Sequence, residues 1–154
     1  MKLPTVAVVA AKRCIVDQGF AIIAMQATPD SQAYAYTVGM SAKGWPEIVV
    51  TGALLFVVKA NMIMGLAHRW REAGAAVVMT WEDFVTGPEP KSARLEYVPS
   101  TQKGRMPLLN AVYPDIKSFS AVQILWPDPN GKFPDNPEYS RDPAFAQEYW
   151  GVSF

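Results

Sequence analysis

The chain has 154 residues, 14 of them basic and 14 acidic, so its formal net charge is zero. That balance excludes the basic excess from which nucleic-acid binders draw most of their affinity. One cysteine, Cys14, and one histidine, His68, exclude an intrachain disulfide and a four-ligand Cys/His zinc site.

The length fits one domain spanning 1–154, with a core over 1–135 and an irregular tail over 136–154. Half of the residues are hydrophobic, enough for a sizeable core, and only 18% are charged against ~25% in ordinary soluble domains. With 12% aromatics, this composition points to an apolar face that a second copy or a partner would cover, as in a homodimer.

Pro4 opens a predicted helix over 4–18, with Val8, Ala11 and Ile15 on one face and Gly19 as its stop. The run MKLPTVAVVAAKRC is too short and broken for a secretory signal, and TGALLFVVKANMIMGLAH is interrupted by Lys59 and Asn61, so neither reads as a membrane segment. The expected location is the cytoplasm.

FAIIAMQ (20–26) reads as a buried strand, and Pro29-Asp30-Ser31 as a turn. AYAYTVGM (33–40) alternates: Tyr34, Tyr36, Val38 and Met40 on one face, with Ala35, Thr37 and Gly39 on the other. EIVVTG (47–52) is a third strand. Short connections make antiparallel pairing the economical arrangement. A second helix over 54–73 carries a stripe of Leu55, Val58, Met62 and Leu66 and ends at Gly74. AAVVMT (75–80) fits a strand or a loop, and GPEPKS (87–92) is a break. ARLEYVP (93–99) is a strand, 106–113 a short helix between prolines, and FSAVQILW (119–126) the clearest strand of all. Helices and strands mix without strict βαβ alternation, so the fold class is α+β, with a largely antiparallel sheet, two main helices and a Pro-rich tail.

The chemistry narrows by elimination. Gly39-Met40-Ser41-Ala42-Lys43 lacks the last glycine of a nucleophile elbow. Gly131-Lys132 has Trp126 where a phosphate loop needs its first Gly, and Phe133 where it needs Ser or Thr. His68 pairs naturally with Glu72 at i,i+4, and Cys14 reads as a small core residue. Asp128, Asn130 and Asp135 share a loop whose oxygens suit a hard cation, but Asp128-Pro129-Asn130-Gly131 reads better as a type I turn. No metal or cofactor is expected.

Two tripeptides remain, Trp45-Pro46-Glu47 at a strand entrance and Trp126-Pro127-Asp128 at a strand exit. Were strands 47–52 and 119–126 antiparallel neighbours, the two would meet at one end of the sheet. The resulting patch of Tyr36, Thr37, Trp45, Glu47, Trp126, Asp128 and Asn130 would bind a small molecule or a protein partner. The alternatives are a small hydrolase using Glu47 or Asp128 as general base, with Tyr36 and Thr37 as hydrogen-bonding groups, and a mobile-element protein that blocks a host factor. Neither nucleic acid nor a membrane is an expected partner.

At these same stretches the chain resembles the bacterial domain-of-unknown-function family numbered 4262. Tyr36-Thr37-Val38-Gly39-Met40 matches the family's Tyr-Thr-Val-Gly-Leu, Trp45-Pro46-Glu47-Ile48 its His-Pro-Glu-Leu, and Trp126-Pro127-Asp128 followed by Gly131 and Phe133-Pro134 its later motif. The resemblance spans roughly residues 20–135 and implies a shared fold and patch but no reaction. The family's histidine stands here as Trp45.

Overall fold

A computed structural model describes residues 5–78, 93–116 and 119–151. Five strands among them form one mixed sheet: β1 (Ala21–Met25), β2 (Tyr34–Val38), β3 (Glu47–Thr51), β4 (Arg94–Tyr97) and β5 (Ala121–Leu125), in the order β1-β2-β3-β5-β4. The helices are α1 (Thr5–Gln18), α2 (Phe56–Ala73) and α3 (Pro107–Val112). The domain is α+β, as its pattern of elements predicts. Residues 75–78 form no strand, while 79–80 and the expected break at 87–92 lie outside the described residues.

β1, β2 and β3 form an antiparallel meander because their connections are short, the first closed by Thr28 and Ser31 bonding each other's backbone around Pro29-Asp30. The alternation in 34–38 then separates two cores. Tyr34, Tyr36 and Val38 face α1 and α3 together with Val49, Ala121, Leu109 and Met106. Ala35 faces α2 together with Ile48, Val50, Val122, Ile124 and Trp126. Met40 lies past the end of β2 and joins the α2 side, not the tyrosine side expected of it.

α2 is also rotated relative to the stripe predicted for it. Leu55 is its N-cap and stays exposed, and the inward residues are Lys59, Met62, Ile63, Leu66, Ala67 and Trp70. The indole N–H of Trp70 donates to the Val77 carbonyl at 3.0 Å and so ties down the segment after the helix.

The largest departure concerns β3 and β5. They are neighbours, but they run parallel, with Glu47 beside Ala121 and Val49 beside Gln123. The chain between them includes α2, β4 and α3, ample for the crossover that parallel pairing requires. β4 runs antiparallel to β5, so the chain leaves β4 at the end of the sheet where β5, like β3, begins.

The tail is irregular in backbone but integral to the core. Gln123 Nε2 donates to the Glu148 carbonyl at 2.8 Å, the Trp150 N–H donates to Gln123 Oε1 at 2.9 Å, and the Thr51 hydroxyl donates to the Glu148 carbonyl at 2.6 Å. Arg105 grips the Glu148 carboxylate at 2.6 and 3.0 Å and lies 4.3 Å from the centre of the Trp150 ring. Trp150 itself has no exposed surface and packs edge-on against Tyr34. Gly52, at φ +113°, lets the chain turn under this tail, where a Cβ would lie 2.7 Å from the Ala146 carbonyl. Trp150→Ala is therefore expected to cost about 3–5 kcal/mol in urea denaturation, whereas a tail merely resting on the surface would lose under about 0.5 kcal/mol.

Candidate functional site

The entrance of β3 is organised by one carboxylate. Glu47 has no exposed surface, and its two oxygens receive five hydrogen bonds. Oε1 accepts from the Thr37 hydroxyl at 2.7 Å and the Met40 N–H at 3.1 Å. Oε2 accepts from the Gly39 N–H at 3.3 Å, the Ser41 N–H at 2.9 Å and the Ser41 hydroxyl at 2.6 Å. Three successive backbone N–H groups thus form an anion-holding concavity filled by the chain's own side chain. Gly39 makes the bend possible: its φ is +129°, and a Cβ there would sit 2.9 Å from the Gly19 carbonyl oxygen. Burial pushes the Glu47 carboxyl pKa up, while the Ser41 hydroxyl and N–H, the Thr37 hydroxyl and the Met40 N–H pull it back without cancelling the rise.

The exit of β5 repeats the device. Asp128 Oδ1 accepts from the N–H groups of Asn130 at 2.9 Å and Lys132 at 2.8 Å, and Oδ2 accepts from Ser140 at 2.8 Å. Gly131 N–H donates to the Asp128 carbonyl at 3.0 Å, which closes the expected turn. Burial works to raise the Asp128 pKa, but the N–H bonds from Lys132, Ser140 and Asn130 outweigh it and hold the carboxyl below its ordinary value.

Parallel pairing sets these two corners apart. From the Glu47 level to the Trp126 level β5 advances five residues, ~16 Å at ~3.3 Å each. The single patch expected from the sequence does not form, because its premise was an antiparallel pair. Each of its members has a separate place. Trp45 packs edge-on against Trp70 at 6.3 Å and plugs the α2 side. Trp126 is buried and donates its indole N–H to the Thr51 carbonyl at 3.1 Å. The Tyr36 hydroxyl, fully buried, accepts from the Leu108 N–H at 3.0 Å, and Asn130 is exposed on its turn. Thr37 alone joins Glu47 directly, accepting from the Ile48 N–H at 2.8 Å while donating to the carboxylate.

Sequence reasoning passed over what stands next to Glu47. Ser41 and Ala42 from the turn, Val112 at the end of α3 and residues 113–116 after it line an open cavity of about 350 Å³. Tyr113 in its wall is half-buried, and its phenol pKa is raised by burial and then by the Glu47 charge, which places it within that carboxylate's field. Ser41, dismissed as a nucleophile for want of a glycine, was the signal available.

Among the described residues no three His, Cys, Asp or Glu side chains gather closely enough to hold a metal ion. His68 and Glu72 form the expected exposed i,i+4 pair at 3.1 Å. No described helix is long and apolar enough to cross a membrane.

An α+β domain with two carboxylate-anchored corners is thereby defined. The chain belongs to the family described as Domain of unknown function (DUF4262), which it matches over residues 14–140. No curated protein and no solved structure matches it.

The two acids have opposite pH signatures. Asp128 is depressed in the folded state, so its stabilisation is present above its ordinary value of 3.8 and is lost as pH falls through the folded value. Glu47 is raised, so the folded state binds more protons above its ordinary value of 4.5, and this group's contribution falls as pH rises through that window. Melting curves between pH 7 and pH 3 are expected to show the deficit of Asp128→Asn shrinking on acidification. Glu47→Gln, which turns an NH₂ toward donors, is expected to cost about 3 kcal/mol at neutral pH. A neutral effect of Glu47→Gln on melting would contradict the anchoring role.

Proposed function

We propose that the chain is a binding module whose ligand site is the cavity beside Glu47. The observation that carries this reading is the direction of the Ser41 hydroxyl. Its proton is given to Glu47 Oε2 at 2.6 Å, so its lone pairs remain for a donor on a ligand. With Tyr113 and the exposed Asp115 in the same wall, the polar groups are rich in acceptors, and Val112, Pro114 and Ile116 supply apolar area. A volume of about 350 Å³ lies in the range of small-molecule sites. The ligand class that fits is a small molecule with an apolar body and an amine or hydroxyl donor.

Binding is favoured over general-base hydrolysis because both carboxylates are already engaged on both oxygens by donors. A base must be free to accept the proton it removes.

A thermal-shift screen of small amines and alcohols tests the site. A ligand at a hundred times its Kd stabilises by about 2.7 kcal/mol. The shift is expected to disappear in Ala42→Arg, which fills the cavity from an exposed position, and to weaken in Tyr113→Phe. A hit that shifts all three proteins equally binds elsewhere and removes the proposal.

A second reading, contact with a copy or a protein partner, has its own support. Val6, Val9 and Val16 on α1 are 78%, 54% and 84% exposed, a run of apolar surface turned away from the sheet. Sedimentation velocity over a concentration series is expected to show self-association in the wild type and a monomer in Val9→Lys. Identical monomers at all concentrations would end the homodimer reading.

A further inference from the structure

The two edges of the sheet differ in how they are guarded. At one edge, β4 carries charge: Arg94 pairs with Glu96 at 2.8 Å and with Asp135 at 2.9 Å. Its guanidinium lies 4.9 Å from the centre of the Phe133 ring, and the Tyr149 hydroxyl donates to Glu96. Charged side chains on an edge strand discourage pairing with another chain. At the other edge, β1 reads AIIAM and has no such device. No charged residue stands between Asp17 and Asp30, β1 holds no proline, and Ala24 is exposed.

The ladder determines which backbone groups β1 offers. The Gly52 N–H donates to the Ala33 carbonyl at 3.2 Å, so odd positions along β2 bond to β3 and even positions bond to β1. Tyr34, Tyr36 and Val38 are matched with Met25, Ile23 and Ala21. The N–H and carbonyl groups of Ile22 and Ala24 therefore point away from the sheet, and no bond to them is made among the described residues.

These outward groups are self-complementary. When β1 lies antiparallel to a copy of itself with Ile23 opposite Ile23, Ile22 faces the partner's Ala24, and every outward N–H meets an outward carbonyl. The side chains also match. Ile22 packs on the α2 side, and Ile23 and Met25 on the α1 side. In this register Ile22 and Met25 each stand beside an alanine of the other copy, large against small, and each face of one sheet continues into the same face of the other.

We propose that the chain pairs with a second copy of itself through the free edge of β1, antiparallel about a twofold axis at Ile23, so that two sheets become one. The inference rests on the self-association reading given above and supplies it with a surface and a symmetry. α1 covers β1 on the tyrosine side, with Ala11 and Ile15 in one cluster with Ile23 and Met25. The axis therefore brings both α1 helices to the seam, where the exposed Val6 and Val9 of each gain cover from the other copy.

The test uses a Cys14→Ser background, in which an introduced cysteine is the sole thiol. Residues directly opposite each other in an antiparallel pair have Cα atoms ~4.5–5.5 Å apart, within disulfide reach. Ile23→Cys is expected to give a covalent dimer on mild oxidation, read on a non-reducing gel. Ile22→Cys, displaced from its own counterpart, is expected to stay monomeric on that gel. In the wild type, amide exchange read by NMR is expected to slow at least about tenfold at Ile22 and Ala24 between a dilute and a concentrated sample. That measurement decides the matter if Ile23→Cys fails to fold. A dimer by sedimentation, with no Ile23→Cys cross-link and no change at those amides, would overturn the β1 interface and leave self-association standing. A monomer at every concentration would overturn both. Equal cross-linking of Ile22→Cys and Ile23→Cys would reveal collision without register and overturn the twofold.

Discussion

A buried carboxyl group with no cationic partner among the described residues fixes the architecture around β3. Glu47 is tolerated inside the domain only because the backbone of residues 39–41 curls so that consecutive N–H groups converge on it, with Thr37 and Ser41 completing the shell. That curl depends on Gly39 passing close to Gly19, which ties the end of α1 to the β2–β3 connection. The same shell leaves the Ser41 hydroxyl polarised at the edge of a cavity. One constraint thus determines a bend, the packing of a helix terminus and the polarity of the neighbouring wall.

Much of this fold was legible in the chain. Alternation in 34–38 assigned the faces of β2, FSAVQILW marked β5, and Gly19 and Gly74 stopped the two main helices where expected. The direction of β5 relative to β3 was not legible, because direction follows from where α3 returns the chain, and no local pattern records it. The rotation of α2 escaped for a related reason. Leu55 satisfies a helical stripe as well as any leucine, but it falls outside the helix as its N-cap, so the stripe starts from Lys59.

The site was half legible. Asp128 followed from turn chemistry, because Pro at the second position and Gly at the fourth specify the bend that presents N–H groups to the carboxylate. The pattern around Glu47 marks it as a site residue but does not reveal the backbone shell that anchors it. Its partners are mostly main-chain donors, which any residue supplies, so only Gly39 and the spacing of Thr37 and Ser41 hinted at them. Trp45, standing where the family pattern has histidine, fills space against Trp70, and its neighbour Glu47 does not depend on its chemistry for any bond.

The docking of Glu148 and Trp150 against Gln32, Tyr34 and Gln123 joins segments as far as 116 positions apart. A chain emerging from the ribosome must therefore expose the tyrosine face of its nearly finished sheet until the last of these partners has been synthesised. Domains dominated by such distant contacts fold slowly, and an open apolar sheet face is a site for chaperone capture or misassociation during the wait. The tyrosine face is closed by one indole that is made later than every strand it covers, so the sheet is complete before its cover exists.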